Sequence, residues 1–156
     1  MEITQQADYA VRAVLELSLS PTADLISSEQ IAWRQNIPLA FLTKILARLA
    51  AGQIVFTQRG VNGGIRLALP ADQISLLQVV EAIDGPITLN RCNRTPSECP
   101  RDSVCAVHPI WASLCFELRA SLSNIKFSDL AASARSGVRP RVSKSIRPMT
   151  EVAGAH

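Results

Sequence analysis

Between Ser27 and Gly52 two helical periods are separated only by Asn36-Ile37-Pro38, too short a link for the second helix to do anything but turn back across the first. Ser27 with Gln30 three residues on is a capping-box pattern opening SSEQIAWRQN, and Asn36 stands where a helix turns. Pro38 takes the favoured first-turn position of the next helix. Leu39, Leu42, Ile45, Leu46 and Leu49 then repeat at helical spacing until Gly52 ends the segment. The pair is a helix-turn-helix candidate. The period changes immediately afterwards: residues 53–58 (QIVFTQ) and 65–69 (IRLAL) are strand-like runs around RGVNGG, whose Asn62 and two glycines are expected to supply positive-φ positions at a hairpin tip. A hairpin directly after a helix-turn-helix is a wing.

Around this unit the chain is helical. Residues 6–19 place Ala7, Ala10, Val11, Val14, Leu15 and Leu17 mostly three and four apart, and Pro21 stops the run. A further helix, Ser75 to Ile83, ends at Asp84-Gly85-Pro86, so a winged helix-turn-helix domain is expected over residues 1–86. Residues 87–108 lack a period, contain Pro96 and Pro100, and read as an irregular loop that a metal would order. From 109 to 133 one long helix is expected, with Trp111, Leu114, Cys115, Leu118, Leu122 and Ile125 on a single stripe. A lone apolar stripe needs a partner, and the same helix of a second subunit would give a two-fold homodimer. The fold class is therefore mainly α with a small β-hairpin wing, plus a long dimerisation helix.

At 156 residues and 47% hydrophobic the chain is long enough for one main domain, and 4% aromatics argue against a stacking-rich binding surface. The formal charge of +3 misleads, because Arg135, Arg139, Arg141, Lys144 and Arg147 face Glu151 alone while the body is near neutral. Residues 134–156 thus read as a disordered basic tail, adding at most salt-sensitive, sequence-independent affinity for an anionic partner. No membrane span and no export signal are evident, so a cytoplasmic protein is expected. An enzyme is not: there is no Gly-rich phosphate loop, no nucleophile elbow and no paired carboxylates outside ordinary helix faces, hence no catalytic residues and no small-molecule substrate.

Chemistry concentrates in the cysteines. Cys92, Cys99 and Cys105 are spaced C-x6-C-x5-C, and His108 follows at C-x2-H, where it is placed either to join them as a ligand or simply to begin the helix before Pro109. Soft thiolates among Asn93, Arg94, Glu98 and Asp102 are ligands rather than buried hydrophobes, and the long gaps suit an inorganic cluster better than the paired knuckles of a zinc site. Cys115, on the apolar stripe, is expected to be a packed thiol outside the site.

In this order, helix one, SEQIAWRQNIP, LAFLTKILARLAAGQIV, QRGVNGGIRLALP, a helix ending in Asp-Gly, three cysteines and a final helix, the chain resembles the Rrf family of winged-helix iron-sulfur transcription regulators over about residues 1–132. The resemblance implies a homodimer that binds a double-stranded DNA operator, with affinity set by a cluster on Cys92, Cys99 and Cys105. IscR-like members add a histidine at the position of His108 and are associated with a 2Fe-2S cluster. NsrR-like members share RG-x-NGGIRL and use an Asp at the position of Asp8, from the partner subunit, on a 4Fe-4S cluster. Both candidates stand in this chain. Asp8 also has Arg12 four residues on, the spacing of an ordinary helix-surface ion pair.

In a winged helix the second motif helix enters the major groove and the wing approaches the minor groove. With the leucine stripe turned inward, Ala40, Thr43 and Lys44 are left to read DNA, Arg59 matches the family's wing arginine with Asn62 beside it, and Ser28 and Gln30 are placed to meet phosphate. Arg48 reads as structural or phosphate-facing. Two other functions compete with cluster sensing: a winged-helix regulator using the thiols as a zinc site or redox switch, and an iron-sulfur carrier or electron-transfer protein whose helix-turn-helix is only a packing unit.

Overall fold

The computed structural model describes residues 2–20, 24–94, 101 and 104–138, with Cys92 described by its backbone alone. The elements run α1 (Gln5–Leu19), α2 (Ser28–Gln35), α3 (Leu39–Ala51), β1 (Val55–Gln58), β2 (Gly64–Leu67), α4 (Leu76–Asp84), α5 (His108–Asn124) and α6 (Phe127–Ser136), with a 3₁₀ turn at Arg91–Asn93.

Helix α1 is the centre of the packing and touches α2, α3, α4 and α6. Its buried stripe of Ala7, Ala10, Ala13, Val14 and Leu17 is built largely from alanine, which lets neighbouring helices approach closely. Local capping starts the next elements where the sequence predicts. Ser27 and Gln30 form a reciprocal capping box on α2, and Ser75 and Gln78 form another on α4. Asn36 takes the left-handed conformation (φ 50°, ψ 50°) and turns the chain into α3, whose Leu42, Ile45, Leu46 and Leu49 are all buried.

The wing differs in detail from the sequence expectation. Its strands pair antiparallel from Val55↔Leu67 to Gln58↔Gly64, and an isolated bridge joins Ile26 to Ile65. Asn62 is not in the left-handed region; at the tip only Gly60 is, with φ 112°. Gly63 and Gly64 are needed for space, not for φ: a Cβ on Gly63 would overlap the Gln58 carbonyl oxygen, and one on Gly64 would meet the Ile26 carbonyl oxygen at 3.0 Å.

A larger correction concerns the single helix expected over 109–133. It is two helices, because Ile125 and Lys126 are extended and pair with the entrance to α4. Leu76 donates to the Ile125 carbonyl at 2.9 Å, and Phe127 donates to the Ile74 carbonyl at 3.1 Å. The break carries Phe127 into the core with no exposed surface, and Ala131 follows at 1%. Burying a Phe side chain gains about 1.5–3 kcal/mol, enough to outweigh the helical hydrogen bonds exchanged for bridge bonds. Helix α6 packs on α1, so the buried core extends beyond residue 86. The tail expected at 134–156 begins as the end of α6, and residues 139–156 lie outside the described residues.

Candidate nucleic-acid interface and cysteine segment

The leucine stripe of α3 points inward, which leaves Ala40, Thr43, Lys44 and Ala47 exposed on the opposite face. The Thr43 hydroxyl donates to the Leu39 carbonyl at 2.9 Å, so toward a base edge this residue presents an acceptor oxygen and a methyl. Lys44 is exposed and offers a cationic donor. At the entrance to α2 Ser28 is half-buried, and Gln30 is exposed with its Oε1 accepting from the Ser27 amide at 3.1 Å, leaving its Nε2 end for an anion. Glu29 beside them is held below the ordinary carboxylate range, first by a backbone amide hydrogen bond in the helix's first turn and then by the Ser27 hydroxyl. At the wing tip Arg59, Val61 and Asn62 are exposed around a turn closed by Gly63 donating to the Gly60 carbonyl at 2.9 Å.

Two anchors hold this head in place: Glu16, which sequence reasoning missed, and Arg48, in the structural role that was one of the two expected of it. Glu16, only 7% exposed, accepts from Arg34 Nη1 at 2.9 Å and from Gln35 Nε2 at 2.7 Å, fastening α2 to α1. Its signal was a carboxylate set between Leu15 and Leu17 in an apolar helix, where an unpaired charge is costly. Arg48 is exposed, yet its guanidinium is tied within the protein: its Nη2 donates to the Ile83 carbonyl at the end of α4.

The cysteine segment is gathered at its two ends. Cys92 lies in the 3₁₀ turn, and the neighbouring Asn93 donates through Nδ2 to the Trp111 carbonyl of α5 at 2.8 Å. Cys105 is half-buried and free, and its carbonyl accepts from the His108 amide at 3.2 Å. His108 is the first residue of α5, and its Nδ1 is buried without a partner among the described residues, as is Asn93 Oδ1. Cys99 and the Cys92 side chain lie outside the described residues, and no group of three metal-capable side chains forms among those described. Cys115 is 7% exposed and donates to the Ile87 carbonyl at 3.3 Å, the packed thiol expected. Asp8 is exposed on α1 with Arg12 Nη1 3.5 Å away, the helix-surface pair expected.

A family model described as an iron-dependent transcriptional regulator, Rrf2, matches residues 3–133. The chain belongs to the Rrf2 family. It is 31% identical over 130 residues to the HTH-type transcriptional regulator IscR of Cronobacter sakazakii, covering 83% of this chain and 80% of that one. IscR of an Escherichia coli strain gives the same identity and coverage. Among solved structures, CymR, the global cysteine regulator of B. subtilis, superposes with a TM-score of 0.72 at 22% identity over 85% of this chain and 97% of its own. IscR of T. potens follows at 0.70 and 18% over 90% and 93%. These place the winged-helix fold.

As an Rrf2 protein this chain is an HTH transcriptional regulator, not an enzyme, and HTH regulators of the family bind DNA and are typically dimeric. No helix among the described residues is long and apolar enough to cross a membrane. Of its expected stripe, helix α5 buries only Cys115 and leaves Trp111 at 40% and Leu114 at 43% exposed, beside Ile110 at 53%, while Leu118 and Leu122 lean on the core.

Proposed function

We propose that this Rrf2 regulator is a homodimer that reads a DNA operator under the control of an iron-sulfur cluster held by Cys92, Cys99 and Cys105, with His108 as fourth ligand. The observation carrying this reading is the His108 ring nitrogen, buried without a partner among the described residues and three positions along the chain from the free Cys105. A buried imidazole nitrogen without a hydrogen bond is costly, and a metal satisfies it. Asp8 is the alternative ligand: its carboxylate is exposed, as one reaching a partner's cluster must be, but it already stands 3.5 Å from Arg12. When bound, the cluster supplies a centre sensitive to iron supply and to oxidants. The chain's own part is to hold the two arms of the segment against α5 and to present α3.

In this reading α3 enters the major groove with Ala40, Thr43 and Lys44, the wing brings Arg59 and Asn62 to the minor groove, and Ser28 and Gln30 meet phosphate. The exposed Ile110, Trp111 and Leu114 face a second copy. DNA affinity then follows cluster state as a population shift between two placements of the reading heads.

Anaerobic purification with a visible spectrum and a native mass tests this. The wild type is expected to be a coloured dimer, Cys99→Ala and His108→Ala to lose or shift the spectrum, and Asp8→Ala to keep it. A spectrum that responds to Asp8→Ala and ignores His108→Ala would move the fourth ligand to α1 of the partner. A colourless protein containing zinc or no metal would leave a winged-helix zinc site or thiol switch.

A further inference from the structure

The last turn of α4 holds three parts of the molecule at once. Glu81 accepts on Oε1 from the Ile87 amide at 3.0 Å, and its carboxylate pairs with Arg119 of α5, Nη2 to Oε2 at 3.3 Å. Two residues on, the Ile83 carbonyl accepts from Arg48 of the reading helix. Next to it, the Asp84 carboxylate accepts from the Thr4 amide at 3.0 Å and from the Thr4 hydroxyl at 2.6 Å. Thr4 is the N-cap of α1, about three turns before the Glu16 anchor of α2. Ile87 itself, the first residue of the cysteine segment, has both its backbone polar groups held, its amide by Glu81 and its carbonyl by Cys115.

From these ties we propose that Arg48 is a positioning residue, through which the end of α4 couples the pose of the reading helix to the cysteine segment and to α5. The proposal rests on the sensing function above and adds the residues that transmit it. Arg48 is the polar tie from α3 to α4 among the described residues; the buried stripe of Leu42, Ile45, Leu46 and Leu49 is apolar and packs without the direction that a hydrogen bond imposes. A guanidinium on a helix-terminal carbonyl is directional, and C-terminal carbonyls favour a cation. A displacement of Ile87 reaches Glu81 and Arg119 directly, and the turn that carries Glu81 also carries the Ile83 carbonyl. The coupling is a free energy shared between the two ends of this chain of contacts, and a thermodynamic cycle measures it.

The test is a thermodynamic cycle. A duplex is selected from a random library by the wild-type dimer, and its Kd is measured for wild type, Arg48→Met, Arg48→Lys and Glu81→Gln, each with and without Cys105→Ala. In the wild type Cys105→Ala should change Kd by about tenfold, within the usual range of allosteric coupling. In Arg48→Met and in Glu81→Gln that ratio should shrink to under about twofold, and Arg48→Lys, which restores a donor to the Ile83 carbonyl, should recover most of it. Hydrogen exchange of the α3 amides gives a second readout: Cys105→Ala should alter their protection in the wild type and leave it unaltered in Arg48→Met. Should Arg48→Met weaken binding yet keep the full ratio, Arg48 is a phosphate contact or a fold support, and the proposal fails. If Arg48→Met does not fold, Glu81→Gln, which lies on α4 away from the reading face, decides by the same ratio. A wild type indifferent to Cys105→Ala in both readouts removes the sensing function and the coupling together, whereas a responsive wild type with an equally responsive Arg48→Met and Glu81→Gln removes the coupling alone.

Discussion

Glu16 and Arg34 meet at 2.9 Å with unequal burial: the Glu16 side chain is 9% exposed and that of Arg34 is 45% exposed. The pair joins the central helix to the first helix of the DNA-reading motif, so its two halves should not be equivalent on mutation. Removing Arg34 strands a buried carboxylate with Gln35 as its remaining partner; removing the carboxylate leaves a guanidinium that water already reaches. Arg34→Met is expected to destabilise by about 1–3 kcal/mol and Glu16→Gln by less, since the half-exposed arginine screens the pair. Urea unfolding of both variants checks the order. Equal losses would mean that the anchor acts mainly by packing.

Phe127 stands at the point where the expected long helix breaks, and it has no exposed surface. Phe127→Ala should cost about 3–5 kcal/mol, a large part of the stability of a domain this size, and Phe127→Leu much less. The diagnostic measurement is hydrogen exchange at Leu76, whose amide bonds to the Ile125 carbonyl. It should lose protection together with α6 if the break and the buried ring act as one unit.

The depressed carboxyl of Glu29 ties stability to pH in a definite direction. Its folded value lies below its unfolded one, so its contribution is fully present above the ordinary carboxylate range and is lost as pH falls through the lowered folded value. The stability difference between wild type and Glu29→Gln should therefore be constant near neutrality and shrink on acidification. Thermal unfolding across pH 3–7, about the carboxylate range, would show it; a difference that grows toward acid would assign the depression to another group.

Lys44 and Arg59 sit on separate surfaces, the reading helix and the wing tip. If both contact DNA, each alanine variant should weaken binding without changing the visible spectrum. Arg59→Ala should cost most on operators with a narrow A·T-rich minor groove, and Lys44→Ala should lower the salt dependence of log K by about one unit if it meets phosphate, or relax one base position by about 1–3 kcal/mol if it meets a base edge. Unchanged affinity in both variants would remove this face as the reading surface.

Much of the local structure was legible in the chain, because it is written in neighbours three and four residues apart. Ser27 with Gln30 and Ser75 with Gln78 start helices through side-chain to backbone bonds that need nothing distant. Asn36 tolerates the left-handed turn, and the leucines of α3 bury themselves on any apolar neighbour. The helix-turn-helix, the wing and the packed thiol of Cys115 followed from such terms, and so did the exposed face carrying Thr43 and Lys44.

What the sequence alone determined, then, is the kind, order and inward faces of the elements, since periodicity and capping are properties of short stretches. Tertiary structure decided the rest. Ile125 and Lys126 are extended because Ile74 and Leu76, some fifty positions earlier, offer them backbone partners and a pocket for Phe127. Glu16 is tolerated inside because α2 delivers Arg34 and Gln35 to it, and the exposed Arg48 bonds back to the protein because α4 ends beside it with the Ile83 carbonyl unspent. Each depends on a partner that no local pattern announces, and the free energy of a long-range polar contact exists only once the chain has brought its two ends together.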